Sequence, residues 1–497
     1  MIKRVSGLGI ALLALAGCSV GEEFKRPETP MPAKWAVSNG DAVSAAKEAW
    51  PAADWWRSFG SRGLDTLMAE AEKANFDMAA AVARVRQADA KARIAGASLL
   101  PALDASGNAN RQLQPSLSGG SGASAKPAEP QTIYTGTINA SYELDFWGKN
   151  AATRASAAAA AQASRFDRQT VALTVQAGVA NSWFAVLGLQ DRLAVARANL
   201  ANTEDLLAAI RDRVKFGTAT DLDLAQQESV VAGLRAAVPP LEQQLREQQN
   251  ALAVLVGHLP EQAGVALEPL SAVKIPVVVP GLTSDLLARR PDVRFAEANL
   301  VAANADINAA KAALFPSITL TARAGFESLA LSTLLHGSNL LYSMAAGISQ
   351  PIFHGGALEG EEESLLGRYD ELVQTYRKAV VSAFSDVENA LIAVRKTAEE
   401  EEAQALAVST ARRAFEIATA QFKAGLVDIV TMLNTQRTLF QARDAEVQVR
   451  ISRLQAVVGL FKALGGGWRS DITDVMQPSQ PSGGAGLSHG AHQDKNT

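Results

Sequence analysis

The sequence predicts a mixed α/β membrane protein that is mostly long α-helices and is built from two internal repeats. Three observations predict this class. Residues 149–216 and 357–424 each show an unbroken helical pattern, four short stretches alternate apolar and polar residues, and the same order of elements occurs twice. At 1.5 Å per residue, the two longest helices would each extend about 100 Å, far beyond a globular domain.

The chain begins with the features of a signal peptide. Lys3 and Arg4 precede a short apolar stretch that ends in Ala16-Gly17-Cys18. Small residues before a cysteine resemble the bacterial lipobox, so residues 1–17 are expected to be removed and Cys18 to receive a diacylglycerol. An ordinary buried cysteine in a hydrophobic helix is the alternative. Ser19 follows, and the resemblance to bacterial lipoproteins implies sorting to the outer membrane.

No later segment is expected to cross a membrane as a helix. We find no apolar run of 18 residues after Cys18. Any crossing is therefore predicted to use a closed β-barrel, because hydrocarbon leaves no partner for unpaired backbone groups.

The two repeats are predicted at 64–257 and 284–465. Both contain a first helix that ends in Leu-x-Pro, at Leu99 to Pro101 and at Leu314 to Pro316. Around them, residues 18–63 are predicted to be the lipidated N-terminal segment and 258–283 a linker. Residues 466–497 form a polar tail that is expected to be disordered.

Each repeat is predicted to contain three helices. They cover 64–98, 149–216 and 221–256, then 284–314, 357–424 and 428–464. Apolar residues recur at intervals of three and four along the longest pair, for example Leu173, Ala177, Ala180 and Phe184, which indicates a coiled-coil seam. A plain coiled coil would explain the helices equally well, but not the strands.

Four strands are predicted at 102–112, 132–146, 316–328 and 340–353. Ile318, Leu320 and Ala322 alternate with Thr319 and Thr321, as expected for a wall with lipid on one side and water on the other. An edge of a soluble sandwich is the alternative. Four strands cannot enclose a pore, and three chains with four strands each would give a barrel of twelve strands.

Several function classes are not supported by the composition. The net charge is −4 and no long basic stretch occurs, so no nucleic-acid partner is expected. The five histidines form no metal-ligand spacing, and nucleophile-elbow and P-loop motifs are missing in a usable context. We therefore expect neither an enzyme nor a metal site nor a cofactor.

Five short motifs carry a resemblance to a known family. They are Gly21-Glu22-Glu23-Phe24-Lys25-Arg26-Pro27, Trp55-Trp56-Arg57-Ser58-Phe59, Glu143-Leu144-Asp145-Phe146-Trp147-Gly148, Arg290-Pro291-Asp292-Val293-Arg294 and Gln350-Pro351-Ile352-Phe353. Together they resemble the TolC-like outer-membrane factors, specifically the NodT-like lipoprotein subunits of RND efflux systems. Glu22 stands where the family usually has proline, and Phe24 where it has tyrosine.

The resemblance implies a homotrimer in the bacterial outer membrane, with a twelve-stranded barrel and a tube of twelve helices across the periplasm. A periplasmic adaptor and an inner-membrane RND transporter would dock at the far end, and small molecules would pass outward through the lumen. A channel for type I protein secretion shares this fold and is the first alternative. A structural periplasmic coiled-coil lipoprotein is the second.

Two glycine turns are predicted to form the periplasmic tips, because they lie at the opposite helix ends from the strands. Glycine permits the left-handed conformation of a tight turn, and an aspartate can cap the helix that follows. The resemblance implies contact with the adaptor, although turn chemistry alone would need the same glycines. The tip residues are Lys215, Gly217 and Asp221, then Lys423, Gly425 and Asp428.

The resemblance also implies a narrow constriction just past the second tip, at Val430, Thr431 and Asn434. The family often carries aspartates here, whereas this chain has none at these positions. A ring of amides would not attract cations as a ring of carboxylates does. Asp223 and Asp428 are the alternative source of charge, although capping suits Asp428 better.

Overall fold

A computed structural model describes residues 20–29, 32, 35, 51–113, 129–262, 268–278 and 286–468. The predicted signal peptide, Cys18 and the tail from residue 469 lie outside these residues. The first repeat contains α1 (Arg62–Ala74), α2 (Phe76–Ala97), β1 (Ala102–Gln112), β2 (Gln131–Leu144), α3 (Lys149–Lys215) and α4 (Asp221–Leu255). The second contains α5 (Leu286–Arg289), α6 (Pro291–Ala313), β3 (Ser317–Ser328), β4 (Leu340–Ser349), α7 (Ala357–Lys423) and α8 (Ile429–Ala463).

The long helices end where the sequence predicts. α3 and α7 contain 67 residues each, and α4 and α8 contain 35 each, with every end within one residue of its predicted position. Left-handed glycines stand at both turns, Gly217 with φ 70° and Gly425 with φ 74°. The prediction of two repeated helical hairpins is therefore confirmed.

The first helix of each repeat is broken, which corrects the prediction of continuous helices at 64–98 and 284–314. Asn75 has an extended backbone, and its side chain accepts a 2.9 Å hydrogen bond from the Met78 amide. Its Nδ2 also donates to the Leu255 carbonyl at 2.7 Å, which ties the break to the end of α4. In the second repeat, Pro291 disfavours a helical conformation at Arg290 and starts α6 as its first residue.

Arg290 occupies this second break and joins three helices. It is 8% exposed and donates to Asp292 and Asp386 at 2.7 and 2.9 Å. It also donates to the carbonyls of Ala383 and Ala463, at 3.4 and 3.1 Å. The start of α6 is thereby tied to α7 and to the last residue of α8.

The four strands form one antiparallel sheet in the order β1-β2-β3-β4. The cross-strand row Ala105, Ile138, Ala324 and Tyr342 lies on one face, and the neighbouring row Asp104, Asn139, Arg323 and Ser343 lies on the other. The apolar face also carries Leu103, Ala140, Tyr142, Leu144, Ile318, Leu320, Ala322, Phe326, Leu340, Met344, Ala346 and Ile348. The predicted alternation is confirmed.

Two strands end earlier than predicted, at Leu144 rather than 146 and at Ser349 rather than 353. Asp145 leaves the sheet because its carboxylate accepts the Asn150 and Ala151 amides at 2.9 and 2.7 Å, which caps α3. Each strand is still long enough for a tilted membrane strand, which needs roughly 9–11 residues.

One helix passes the length and hydropathy criteria for a membrane span. α3 contains an 18-residue window of mean hydropathy 1.3, of which 61% is buried. These criteria rest on length and composition alone, so they do not contradict the expectation that no helix after Cys18 crosses a membrane. The burial is that of a core helix, because the same residues pack against other parts of the protein.

The main hydrophobic core lies around the middle of α3. Trp55 stacks on Phe461 with ring centroids 5.0 Å apart, and Phe59 packs on Phe184 at 5.0 Å. The Trp-Trp-x-x-Phe motif thus forms the centre of this core, with Trp183 fully buried beside it. A second cluster, around Tyr376 and Phe384, joins α6, α7 and α8.

Candidate functional site

Both edges of the sheet are open in the described chain. β1 pairs with β2 alone, and β4 pairs with β3 alone. An unpaired strand edge presents backbone N–H and C=O groups that hydrocarbon cannot satisfy. A second polypeptide is therefore needed wherever this sheet lies in lipid.

The helices, like the strands, form rows whose two outermost members have a neighbour on one side only. There are two such rows of helices among the described residues. Next to the sheet, the contacts run in the order α2-α3-α6-α7, and towards the tips they run α4-α3-α8-α7. One side of the subunit thus consists of β1, α2 and α4, and the other of β4 and α7. We call these the first side and the second side.

The second side carries an exposed apolar stripe along α7. Its members recur at intervals close to whole numbers of helical turns, so they lie on roughly one face. These side chains lie several turns apart along the helix and are exposed to solvent in the described chain. The stripe residues are Leu366, Val381, Ile392, Leu406 and Ile417.

The sheet meets the helices at an aromatic junction. The Trp147 indole donates a 2.8 Å hydrogen bond to the Pro316 carbonyl, and its ring stacks on Phe315 with centroids 4.9 Å apart. Lys149 pairs with Glu143 at 2.5 Å. Aromatic rings suit the boundary between membrane and water, so this junction marks the end of the apolar face.

The two predicted tips lie together at the opposite end. Ile210, Ile429 and Met432 form a buried cluster there, to which the ends of α3, α4, α7 and α8 all contribute. The Arg213 guanidinium also lies 5.3 Å from the centre of the Phe422 ring, across the two hairpins. The first turn, with Lys215 and Gly217, is therefore a neighbour of the second turn, with Lys423 and Gly425.

The caps of the two tips differ from each other. Thr220 caps α4, and Asp223 completes a capping box. The prediction that Asp221 caps this helix is therefore wrong. Asp428 caps α8 as predicted and accepts the Thr431 amide at 2.8 Å. Hydrogen bonds from Thr220 lower the pKa of Asp223, and those from Thr431 lower the pKa of Asp428.

The predicted constriction residues share the exposed face of α8. Val430, Thr431 and Asn434 all face away from the buried side, which includes Ile429 and Met432. Asp428 and Asp223 are engaged as caps. The sequence reading missed Arg437, although its position three residues after Asn434 places it on the same face.

A buried polar layer crosses the bundle near the tips and was also missed. Gln436 donates to the Thr203 hydroxyl at 2.9 Å, and Gln227 donates to the Thr203 carbonyl at 2.9 Å. The amide oxygens of both glutamines are buried and accept no hydrogen bond from the described residues. A buried acceptor without a hydrogen bond costs about 1–3 kcal/mol.

Comparison with known proteins agrees with this arrangement. The family described as outer membrane efflux protein matches residues 67–258 and 282–466. The pyoverdine export outer membrane protein OpmQ of Pseudomonas aeruginosa is 44% identical over 418 residues, 84% of this chain and 88% of that protein. The probable efflux pump outer membrane protein TtgC of Pseudomonas putida is 33% identical over 483 residues, 96% of this chain and 98% of that one.

A solved structure has the same fold. The open state of the Neisseria gonorrhoeae MtrE outer membrane channel is 27% identical, covers 90% of this chain and 98% of its own, and has a TM-score of 0.79. The family match falls on the same two repeats that the structure contains. The chain belongs to the outer membrane efflux protein family and has the fold of the TolC-like outer-membrane channels.

Proposed function

We propose that the chain is one subunit of a homotrimeric channel in a tripartite efflux system, and that small molecules leave the cell through its lumen. A periplasmic adaptor and an inner-membrane RND transporter would complete the system. The observation that carries this proposal is the sheet with one apolar face, one polar face and two open edges. Such a sheet is stable in a membrane only as part of a closed, water-lined cylinder.

The open edges support a ring of copies, and the number of three is what the family resemblance implies. The first side of one copy has to join the second side of the next, since the two sides differ. Repeated head-to-tail contacts generate a ring if the rotation closes. Three copies with four strands each would make twelve strands, which lies within the range of known barrels.

Small molecules are the proposed cargo because the names of two relatives refer to export or efflux. OpmQ is named for pyoverdine export and TtgC as an efflux pump component. Passage through the lumen makes and breaks no bond, so the proposed activity is transport and not catalysis. The type I secretion channel and the structural lipoprotein remain the alternatives, and the sheet argues against the second.

Lipid anchoring at Cys18 is part of the proposal. Asn308 pairs with the Glu22 backbone at 3.1 and 3.0 Å, and Arg26 contacts the buried Glu297 at 2.5 Å. The N-terminal segment therefore runs antiparallel to α6, so that its lower-numbered residues lie nearer the end of α6 that leads into β3. A lipid on this segment would supply an anchor to the outer membrane that the sheet crosses.

The anchor can be tested directly. Cys18→Ser should abolish incorporation of labelled palmitate, because the sulfur that carries the diacylglycerol is gone. Ser19→Ala is the matched control and should be labelled like the natural chain. Labelling of the Cys18→Ser variant would show that the lipid lies elsewhere.

The tips are the proposed contact with the adaptor, through Lys215, Gly217, Asp221, Lys423, Gly425 and Asp428. Exposed apolar side chains, Phe216 at the first turn and Leu426 at the second, stand beside the lysines there. Val430, Thr431 and Asn434 are proposed to line the constriction. Their exposure and their common helix face support this role.

Gly425→Pro tests the function. Proline cannot adopt φ 74°, so the second tip must change shape, while the sheet and the core lie far away. The variant should form trimers by mass in mild detergent and reach the outer membrane, yet fail to restore export in a strain lacking the gene. Gly425→Asn, which tolerates a left-handed turn, should restore it. Normal export by the proline variant would contradict the tip assignment.

A further inference from the structure

The start of α8 carries charge of one sign only. From Ile429 to Ala442, about four turns, the one ionisable side chain is Arg437. The corresponding start of α4, residues 221–234, contains Asp221, Asp223 and Glu228 and no basic residue. The starts of α4 and α8 therefore carry charges of opposite sign at equivalent levels.

Arg437 lies in line with the proposed constriction. It shares an exposed face of α8 with Val430, Asn434 and Gln441, at spacings of three and four residues. The opposite face, with Met432 and Leu439, is buried. Arg437 is thus exposed one turn beyond Asn434, on the same line of side chains.

The Arg437 guanidinium has no acidic partner within the described ranges. Its one hydrogen bond there is a long one of 3.4 Å to the Asn434 amide oxygen. An amide does not neutralise a guanidinium. The positive charge therefore stands uncompensated beside the constriction.

The carboxylates around it are already engaged. Asp223 and Asp428 accept backbone amides as helix caps. Glu228 pairs with Arg211 at 2.8 Å, and Asp444, further along α8, pairs with Arg192 at 2.7 Å. Asp221 is exposed at the first turn, on the other hairpin. Hydrogen bonds from neutral amides leave Asp223 and Asp428 charged, so the positive charge is that of residues 429–442 of α8 and not of the whole tip.

We infer that the channel entrance selects small organic anions over cations. The inference rests on the proposed trimer and on the proposed constriction. Three copies would place three Arg437 guanidinium groups and three Asn434 amides in one ring. A ring of arginines at a narrow point attracts anions and repels cations, and narrow walls of low dielectric strengthen the effect.

Ion selectivity in planar bilayers tests this inference. Purified full-length protein is placed between unequal KCl solutions, and the reversal potential gives the ratio of Cl⁻ to K⁺ permeability. The natural chain should favour Cl⁻, and Arg437→Lys should keep that preference. Arg437→Gln should reduce the ratio several-fold towards one, and Asn434→Asp should shift it towards K⁺. Arg246→Gln removes an exposed arginine on α4 and should change nothing.

The possible results separate the inference from the proposed function. A conducting channel that prefers K⁺, or whose preference is the same in Arg437→Gln, would overturn anion selection and leave the channel intact. A natural chain that never conducts would overturn both. Loss of the Cl⁻ preference in Arg437→Gln, with conductance retained, would establish the role of Arg437.

Discussion

Arg290→Met should lower the free energy of unfolding by about 1–3 kcal/mol, the range for leaving buried polar groups without a partner. The substitution leaves the carbonyls of Ala383 and Ala463 without this donor and two carboxylates without their cation. Methionine fills much of the volume, so the loss reflects unpaired polar groups rather than a cavity.

The charge of this pair is secure at neutral pH. Burial acts against the charged forms, yet the hydrogen bonds between the two groups raise the pKa of Arg290 and lower that of Asp292. A lowered aspartate pKa gives a contribution to stability that is present above the unfolded pKa and is lost as the pH falls through the folded pKa. The interaction is therefore complete at pH 7.

Thermal or denaturant unfolding in detergent measures the effect of Arg290→Met. Arg57→Met is the matched control, because Arg57 is exposed and its pair with Asp54 spans 3.4 Å. An exposed pair contributes about 0–1 kcal/mol, so the control should be nearly as stable as the natural chain. Equal losses in the two variants would refute the role of Arg290 as a tie between helices.

Gly257→Ala should be far more damaging than Gly217→Ala, although both glycines have a left-handed backbone, with φ 76° and 70°. At Gly257 an added Cβ would lie 2.1 Å from the Ala74 carbonyl oxygen, whereas at Gly217 nothing lies within 4 Å. Gly217→Ala should therefore cost only the intrinsic strain of about 1–2 kcal/mol. Gly257→Ala adds a backbone collision between α1 and the end of α4.

The yield of trimer after detergent extraction and mild heating compares the two variants. Gly217→Ala should give nearly normal yields, because its strain is confined to an exposed turn. Gly257→Ala should give little or none. Similar yields would show that the α1–α4 contact can relax. Gly257 would then be required for its left-handed backbone and not to avoid a collision with Ala74.

Much of this fold could be predicted from the sequence, because its elements are long and strongly periodic. The ends of α3, α4, α7 and α8 follow from glycines and capping residues, and the faces of the sheet follow from strict alternation. The break at Asn75 could not be predicted in this way. Helical periodicity continues across it although asparagine is a common N-cap residue, and the hydrogen bond from Asn75 to Leu255 joins residues that are distant in sequence.

The candidate site was harder to predict than the fold. The turns at Gly217 and Gly425 carry a local signal, whereas the polar layer joins Thr203, Gln227 and Gln436 from three helices. No local pattern reveals such a contact. Arg437 lies one turn beyond the positions at which the family carries aspartates, so the family resemblance does not single it out.

The two unlike sides of the subunit have a consequence for cells that make both sound and faulty copies. A chain whose first side is blocked still offers an intact second side, so it can enter a growing assembly and leave a gap in the wall. In the proposed trimer, one faulty member spoils the other two. With equal amounts of both kinds mixing at random, about one assembly in eight would be wholly sound, so the faulty gene would act dominantly.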